Sequence, residues 1–325
     1  MKKKPFRPAW WLRSPHAQTL WASTCRLKPK IATRRERIEL PDGDFIDLNW
    51  SRGNESAPLA VILHGLEGSL DSGYVRGIMT ALKKSGWQAV VMHFRGCSDE
   101  PNRLPRAYHS GDTGDIAYFV NELRQRFPNR TLAAVGYSLG GNALLKWLGE
   151  SGENNPLQAA VAVSVPFDLA IAASKLKQGG SRLYQQHLLT NLKKTIECKK
   201  ALLEPVIDFN SALASEDFYD FDDRVTAPLH GFQDVHDYYQ RSSSKQYLTG
   251  IKIPTLIIHS SDDPFMTPAA VPNSSEVSEA VTFELCQHGG HVGFISGRLP
   301  GKANYWLENR IPAFLAKFMN KQCAK

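Results

Sequence analysis

Long apolar runs are missing from this chain: nowhere in its 325 residues do about twenty apolar positions follow one another, which argues against a membrane-spanning helix. Cysteine is scarce as well. Cys25, Cys97, Cys198, Cys286 and Cys323 are odd in number, widely spaced and form no C-x-x-C pair, so neither a disulfide framework nor a metal site is indicated and a reducing compartment fits. The basic start, Met1-Lys2-Lys3-Lys4-Pro5-Phe6-Arg7-Pro8, is not followed by the sustained apolar stretch of a secretory signal. A cytoplasmic protein is expected. Internal repeats, low-complexity tracts and phosphate-binding glycine loops are absent from the sequence. Charge of one sign is not concentrated either: 39 lysines and arginines are interspersed with 32 aspartates and glutamates except at Met1 to Lys4 and around Lys193 to Lys200. The net charge of +7 therefore does not imply a nucleic-acid partner.

What is present is ordinary globular composition, 42% hydrophobic and 22% charged, enough to bury a sizeable core. Arg37 to Leu40 and Phe45 to Trp50 flank the turn pair Asp42-Gly43, which predicts an opening hairpin. Strand and helix patterns then alternate: Leu59 to Leu63 with Tyr74 to Lys84, Gln88 to His93 with Asp112 to Phe127, Leu132 to Val135 with Asn142 to Glu150. Ile116, Phe119, Val120 and Leu123 recur at helical spacing and should bury one face. Such alternation predicts an α/β fold with a mostly parallel sheet and helices on both faces. Right-handed connections then gather the strand C-termini on one edge, where sites form.

The length would fit two average domains, but one domain over 1–325 with an insertion is the economical reading. Roughly ninety residues separate the expected strands at Ala159 to Val165 and Thr255 to Ile258, too many for an ordinary crossover, so a helical cap is expected over 166–250. Within it Leu183, His187, Leu188, Leu192 and Ile196 fall at helical spacing. The plain reading docks that face on the body and leaves Lys193, Lys194, Lys199 and Lys200 in solvent; the sharper one is a lid sheltering an acyl chain.

Chemistry concentrates in Gly136-Tyr137-Ser138-Leu139-Gly140-Gly141, where one serine stands between glycines at the junction of a strand and a helix. This is the pattern of a nucleophile elbow, in which a sharp turn holds the hydroxyl exposed above the sheet. A serine hydroxyl needs a histidine to take its proton and a carboxylate to orient that histidine. Asp262 and Asp263 follow the strand ending at His259, and His288 and His291 lie in a glycine-rich loop after Val281 to Leu285. Asp263 is preferred over Asp262. His291 is preferred over His288 because glycines precede it and Val292 and Phe294 follow to anchor its loop. For an oxyanion hole, one backbone N–H should come from Leu139, directly after the serine, and the other from Leu66 in His64-Gly65-Leu66-Glu67-Gly68. His64 and His109 are candidates to border the site.

With these segments in place, the chain resembles the α/β-hydrolases over nearly its whole length. Within them it is similar to the branch containing the bacterial YheT-type esterases and the mammalian alpha/beta-hydrolase-domain lipases. That closer likeness is carried by Ser14-Pro15-His16-Ala17-Gln18-Thr19-Leu20-Trp21, His64-Gly65-Leu66-Glu67-Gly68, Asn142, Asp262-Asp263-Pro264-Phe265 and Gly289-Gly290-His291-Val292-Gly293-Phe294. The resemblance implies Ser138, Asp263 and His291 as a triad, and action on carboxylic esters including lipids.

The resulting expectation is a serine esterase working through an acyl-enzyme on a small-molecule or lipid ester, with no cofactor. The same acyl-enzyme would serve an acyltransferase if another alcohol or thiol replaced water, and the fold without catalysis would serve a binding protein. Trp10, Trp11, Leu12 and Trp21 lie among Lys2, Lys3, Lys4, Arg7 and Arg13. This mixture suits a membrane surface, although packing onto the main domain is the preferred reading.

Overall fold

The structure, a computed structural model, describes residues 6–54 and 56–319; the basic Lys2, Lys3 and Lys4 and the last cysteine, Cys323, lie outside the described residues. After a short helix α1 (Pro15–Leu20), the strands β1 (Thr33–Glu39) and β2 (Phe45–Ser51) form the opening hairpin. Its turn uses Gly43 at a φ of 84°, a conformation that glycine adopts without a Cβ penalty. Strand and helix then alternate through β3 (Leu59–Leu63), α2 (Gly73–Lys84), β4 (Gln88–Met92), α3 (Gly114–Arg126), β5 (Leu132–Tyr137), α4 (Leu139–Ser151) and β6 (Ala159–Val163). Two helices of the following insertion, α5 (Leu169–Leu176) and α6 (Arg182–Cys198), precede β7 (Thr255–Ser260) and β8 (Val281–Cys286).

These strands make one eight-stranded sheet in the order β1-β2-β4-β3-β5-β6-β7-β8. Only β1 with β2 and β2 with β4 pair antiparallel; every other neighbour is parallel. Residues of β3 to β7 are buried at every position, because helices cover both faces of a parallel sheet. Leu59, Val61 and Leu63 share a cluster with Ile116, Phe119, Val120 and Leu123 of α3. Ala60 and Ile62 instead meet Val75, Ile78 and Leu82 of α2 and Ile311 of the helix Leu307–Leu315. The expected helical stripe on α3 is thus buried whole.

Residues 166–250 are helical or irregular, with no strand. Four of its helices start on an aspartate whose carboxylate accepts a backbone N–H of the first turn: Asp168 from Ile171, Asp208 from Ser211, Asp217 from Asp220 and Asp234 from Asp237. Two details of α6 differ from expectation. Leu183 is 71% exposed and His187 is exposed, since the buried stripe runs through Gln185 and Leu189 to Ile196, the last of these as expected. Lys199 is buried rather than solvated: its Nζ reaches Asn102 Oδ1 at 2.8 Å and the carbonyl of Leu104 at 2.6 Å.

The N-terminal aromatics pack on the body, as preferred. Ala9, Leu12 and Ala22 are buried with Ile295, and Trp11 meets Trp21 edge-on at 4.8 Å. Trp10 alone of this group remains largely exposed, its indole N–H donating to Arg298 O. Among the described residues no helix is long and apolar enough to cross a membrane.

Candidate active site

Ser138 sits where β5 gives way to α4, with φ 51° and ψ −119°. Glycines permit this bend. A Cβ on Gly136 would come within 2.5 Å of Gly140 O, and one on Gly140 would collide with the backbone oxygens of Leu63 and His64. Among the described residues four other non-glycine positions have positive φ, namely Glu67, Ser164, Val292 and Phe294. All of them lie just beyond the C-terminal ends of β3 and β6 or in the loop after β8, so the strained backbone is gathered on the edge that carries Ser138.

On that edge the ordered candidates meet. Ser138 Oγ lies 2.9 Å from His291 Nε2, and His291 Nδ1 lies 2.9 Å from Asp263 Oδ2 and 3.2 Å from Oδ1. An ionised carboxylate only accepts, so Nδ1 carries the imidazole proton and Nε2 is left to accept from the serine hydroxyl. Asp263 is 4% exposed and takes a further N–H from Phe265. The Phe265 ring stacks on His291 at 3.9 Å and an interplanar angle of 2°, fixing the imidazole plane. The alternatives pair with each other instead: His288 Nδ1 meets Asp262 Oδ2 at 3.2 Å, with half of the His288 side chain exposed. Asp262 Oδ1 also accepts the Gly290 N–H, which braces the histidine loop.

Leu139 is the first residue of α4, so its N–H has no partner within the helix and stands beside the hydroxyl. In the loop after β3, the Gly65 N–H donates to Tyr74 Oη and the Glu67 N–H to Tyr108 Oη, each at 2.8 Å. The Leu66 N–H lies between these two committed donors. His64 does not offer itself to a substrate: Nδ1 donates to Gly65 O at 2.8 Å and Nε2 accepts from the Phe94 N–H at 3.1 Å. Complete burial pushes its pKa down to about 3, so it is a neutral tie between two loops.

Between the sheet edge and the helical insertion lie two adjoining chambers whose shared lining includes Leu66, Leu139 and Asp222. The one at Ser138 is apolar, walled by Leu169, Ala173, Leu176, Leu188 and Met266. Its neighbour is more polar, bordered by Glu67, His109, Thr195, Asp222 and His230. His109 and His230 lie 4.5 Å apart between ring centroids, and burial holds both near pKa 3 and therefore neutral. Its cations are already engaged: Arg95 pairs with Asp42, Asp44 and Asp115, and Lys199 is held by the oxygens of Asn102 and Leu104. Among the described residues no group of three or more histidines, cysteines or acids is arranged to hold a metal.

The stretch from Ser14 to Trp21 carries the family likeness without a catalytic residue of its own, and the structure gives it a supporting part. Thr19 Oγ1 accepts the His291 N–H at 2.9 Å. Gln18, fully buried, accepts the Ile295 N–H at 2.7 Å and donates to the carbonyls of Leu12 and Ile295. α1 therefore clamps both sides of the histidine loop. A Cβ on Gly290, whose φ is 58°, would come 2.5 Å from Pro15 O. Asn142 is a second brace, donating to Ser110 O and Ser242 O and accepting from the Ser244 N–H. The sequence signal for both was their place in the stretches that carry the family likeness.

Comparison with known proteins agrees with this architecture. The chain is 44% identical over 314 residues to the Escherichia coli protein named "Putative esterase YheT", covering 95% of this chain and 92% of that one. It is 29% identical over 310 residues to mouse phospholipase ABHD3, covering 92% of this chain and 75% of the relative. With a monoacylglycerol lipase of Saccharomyces cerevisiae it shares 32% identity over 281 residues, 84% of this chain and 62% of the relative. The solved esterase Pf2001 of Pyrococcus furiosus superposes with a TM-score of 0.58 at 16% identity, over 91% of this chain and 98% of that one, a likeness of fold. The model of the alpha/beta hydrolase fold matches residues 58–298, most of the chain, and the protein belongs to that family.

Proposed function

We propose that this chain is a serine hydrolase that cleaves carboxylic esters through an acyl-enzyme. The observation that carries the reading is the unbroken relay from Ser138 Oγ through the His291 ring to Asp263, with a contact of 2.9 Å on each side of the imidazole. His291 Nε2 takes the hydroxyl proton as Oγ attacks the ester carbonyl, and Asp263 stabilises the imidazolium that forms. The N–H groups of Leu139 and Leu66 receive the negative charge on the carbonyl oxygen. Collapse expels the alcohol, which takes its proton from Nε2. Water, deprotonated by the same nitrogen, then attacks the acyl carbon and releases the acid.

The two chambers favour a neutral ester. The apolar walls beside Ser138 suit an acyl chain, and the polar neighbour offers neutral imidazoles without an unengaged cation among the residues bordering it. That lining suits hydroxyl groups and disfavours phosphate. Of the two lipid-cleaving activities named among the relatives, the monoacylglycerol type therefore fits better than the phospholipase type.

The test is hydrolysis of p-nitrophenyl esters from acetate to laurate by wild type and Ser138→Ala. Loss of about 10⁴-fold or more in the variant is the expected result, together with an optimum in chain length. A variant as active as wild type would remove Ser138 as nucleophile. Faster turnover of lysophosphatidylcholine than of the monoacylglycerol of equal chain length would overturn the neutral-ester assignment.

A further inference from the structure

Glu67 lies one residue beyond the Leu66 N–H, in the left-handed region at φ 52°. That conformation is unfavourable for a non-glycine residue and persists only where surrounding contacts over-determine it. Here they do. Its N–H donates to Tyr108 Oη at 2.8 Å, and the same hydroxyl donates back to its Oε1 at 2.9 Å, closing a ring of hydrogen bonds. Tyr108 is buried and stacked on Phe94 at 5.2 Å, so this anchor belongs to the body of the fold. The other carboxylate oxygen, Oε2, accepts from Thr195 Oγ1 at 2.8 Å, and Thr195 is on α6 of the insertion. One side chain thus joins the loop beside the serine to the helix above it.

We propose that Glu67 is a positioning residue that sets the direction of the Leu66 N–H and makes that direction depend on where α6 sits. With the Thr195 bond made, both carboxylate oxygens are committed and the left-handed turn is held. If α6 withdraws, Oε2 loses its partner and the peptide carrying the donor is less constrained. The oxyanion hole is then complete only under a seated insertion. Glu67 touches no reacting atom; it acts through the backbone of its neighbour. The inference rests on the reading of Leu66 as an oxyanion donor.

Removing an oxyanion donor outright costs about a hundredfold to a thousandfold in kcat, and loosening one costs a fraction of that. Glu67→Ala should lower kcat about 10- to 100-fold with KM within about twofold of wild type. Thr195→Val, which keeps the shape of the side chain and removes only its hydroxyl, should lower kcat about three- to tenfold. Glu67→Gln, able to bond both partners, should restore most of the activity. Inhibition by an alkyl trifluoromethyl ketone, whose adduct carries the oxyanion, should weaken in parallel with kcat. A rise in KM with kcat unmoved would make Glu67 a substrate contact and overturn the proposal. So would loss of activity that follows thermal stability and is not restored by Gln. Activity remaining in Ser138→Ala would instead defeat the underlying serine mechanism, so the two failures are distinguishable.

Discussion

The sheet body and the helical insertion of 166–250 are held together by different means. In the body, β3 to β7 are buried at every position and their order comes from long parallel registers. The insertion has smaller apolar clusters, four aspartate-capped helices, and a carboxyl group, Asp222, enclosed between Thr226 Oγ1 and Tyr239 Oη. Enclosure pushes the Asp222 pKa up to about 6. Close packing makes the body intolerant of added volume, whereas the insertion depends more on local hydrogen bonds and should yield by smaller steps.

Two glycines put that contrast to its strongest test. Gly140→Ala forces a methyl into the backbone of Leu63 and His64 and should destabilise by at least about 3 kcal/mol in denaturant unfolding, with activity lost as the elbow shifts. Gly179→Ala, at φ 50° in the insertion with nothing within 4 Å, should cost about 1 kcal/mol for the left-handed conformation alone. Equal effects would dissolve the distinction between the regions.

Acid sharpens it next. His64, His109 and His230 are held near pKa 3 by burial, below the ordinary value of 6.5. As pH falls below 6.5 the unfolded chain binds protons that the folded chain refuses, so stability is lost by about 1.4 kcal/mol per pH unit for each such histidine. The melting temperature should therefore drop between pH 6.5 and 5. His230→Phe should make that slope shallower; an unchanged slope would move the acid sensitivity to other groups.

The smallest effect belongs to the caps. Asp208→Ala leaves the Ser211 N–H without its acceptor and should cost about 1 kcal/mol, read as a lowered urea midpoint with esterase activity retained.

Much of the body was legible in the chain. The apolar runs of parallel strands are contiguous and end at glycine-rich turns, so Leu59–Leu63 falls where the pattern put it. The serine, acid and histidine segments were readable as ordered motifs, and Asp263 and His291 were preferred over Asp262 and His288, the histidine from its flanking residues. The assembled loops show the facing behind that choice, with His291 turned to Asp263 and His288 to Asp262. The insertion was harder. The periodic pattern assigned Leu183 and His187 to the buried stripe and Lys199 to solvent, whereas the packed helix exposes the first two and sinks the lysine against carbonyls of another loop. Partners far apart in sequence leave no local mark, which is also why the parts played by Gln18, Thr19 and Glu67 were hidden.

The clamp of α1 on the histidine loop has a consequence in time. Thr19 and His291 are 272 positions apart, and Gln18 and Ile295 are 277 apart. Contacts of such separation close only after the entropy of a very long loop has been overcome. During synthesis the elbow can take shape once β5 and α4 have emerged, whereas His291 is seated only after the loop after β8 has reached α1. On the proposed reading, hydrolysis therefore waits on the meeting of α1 with the loop after β8.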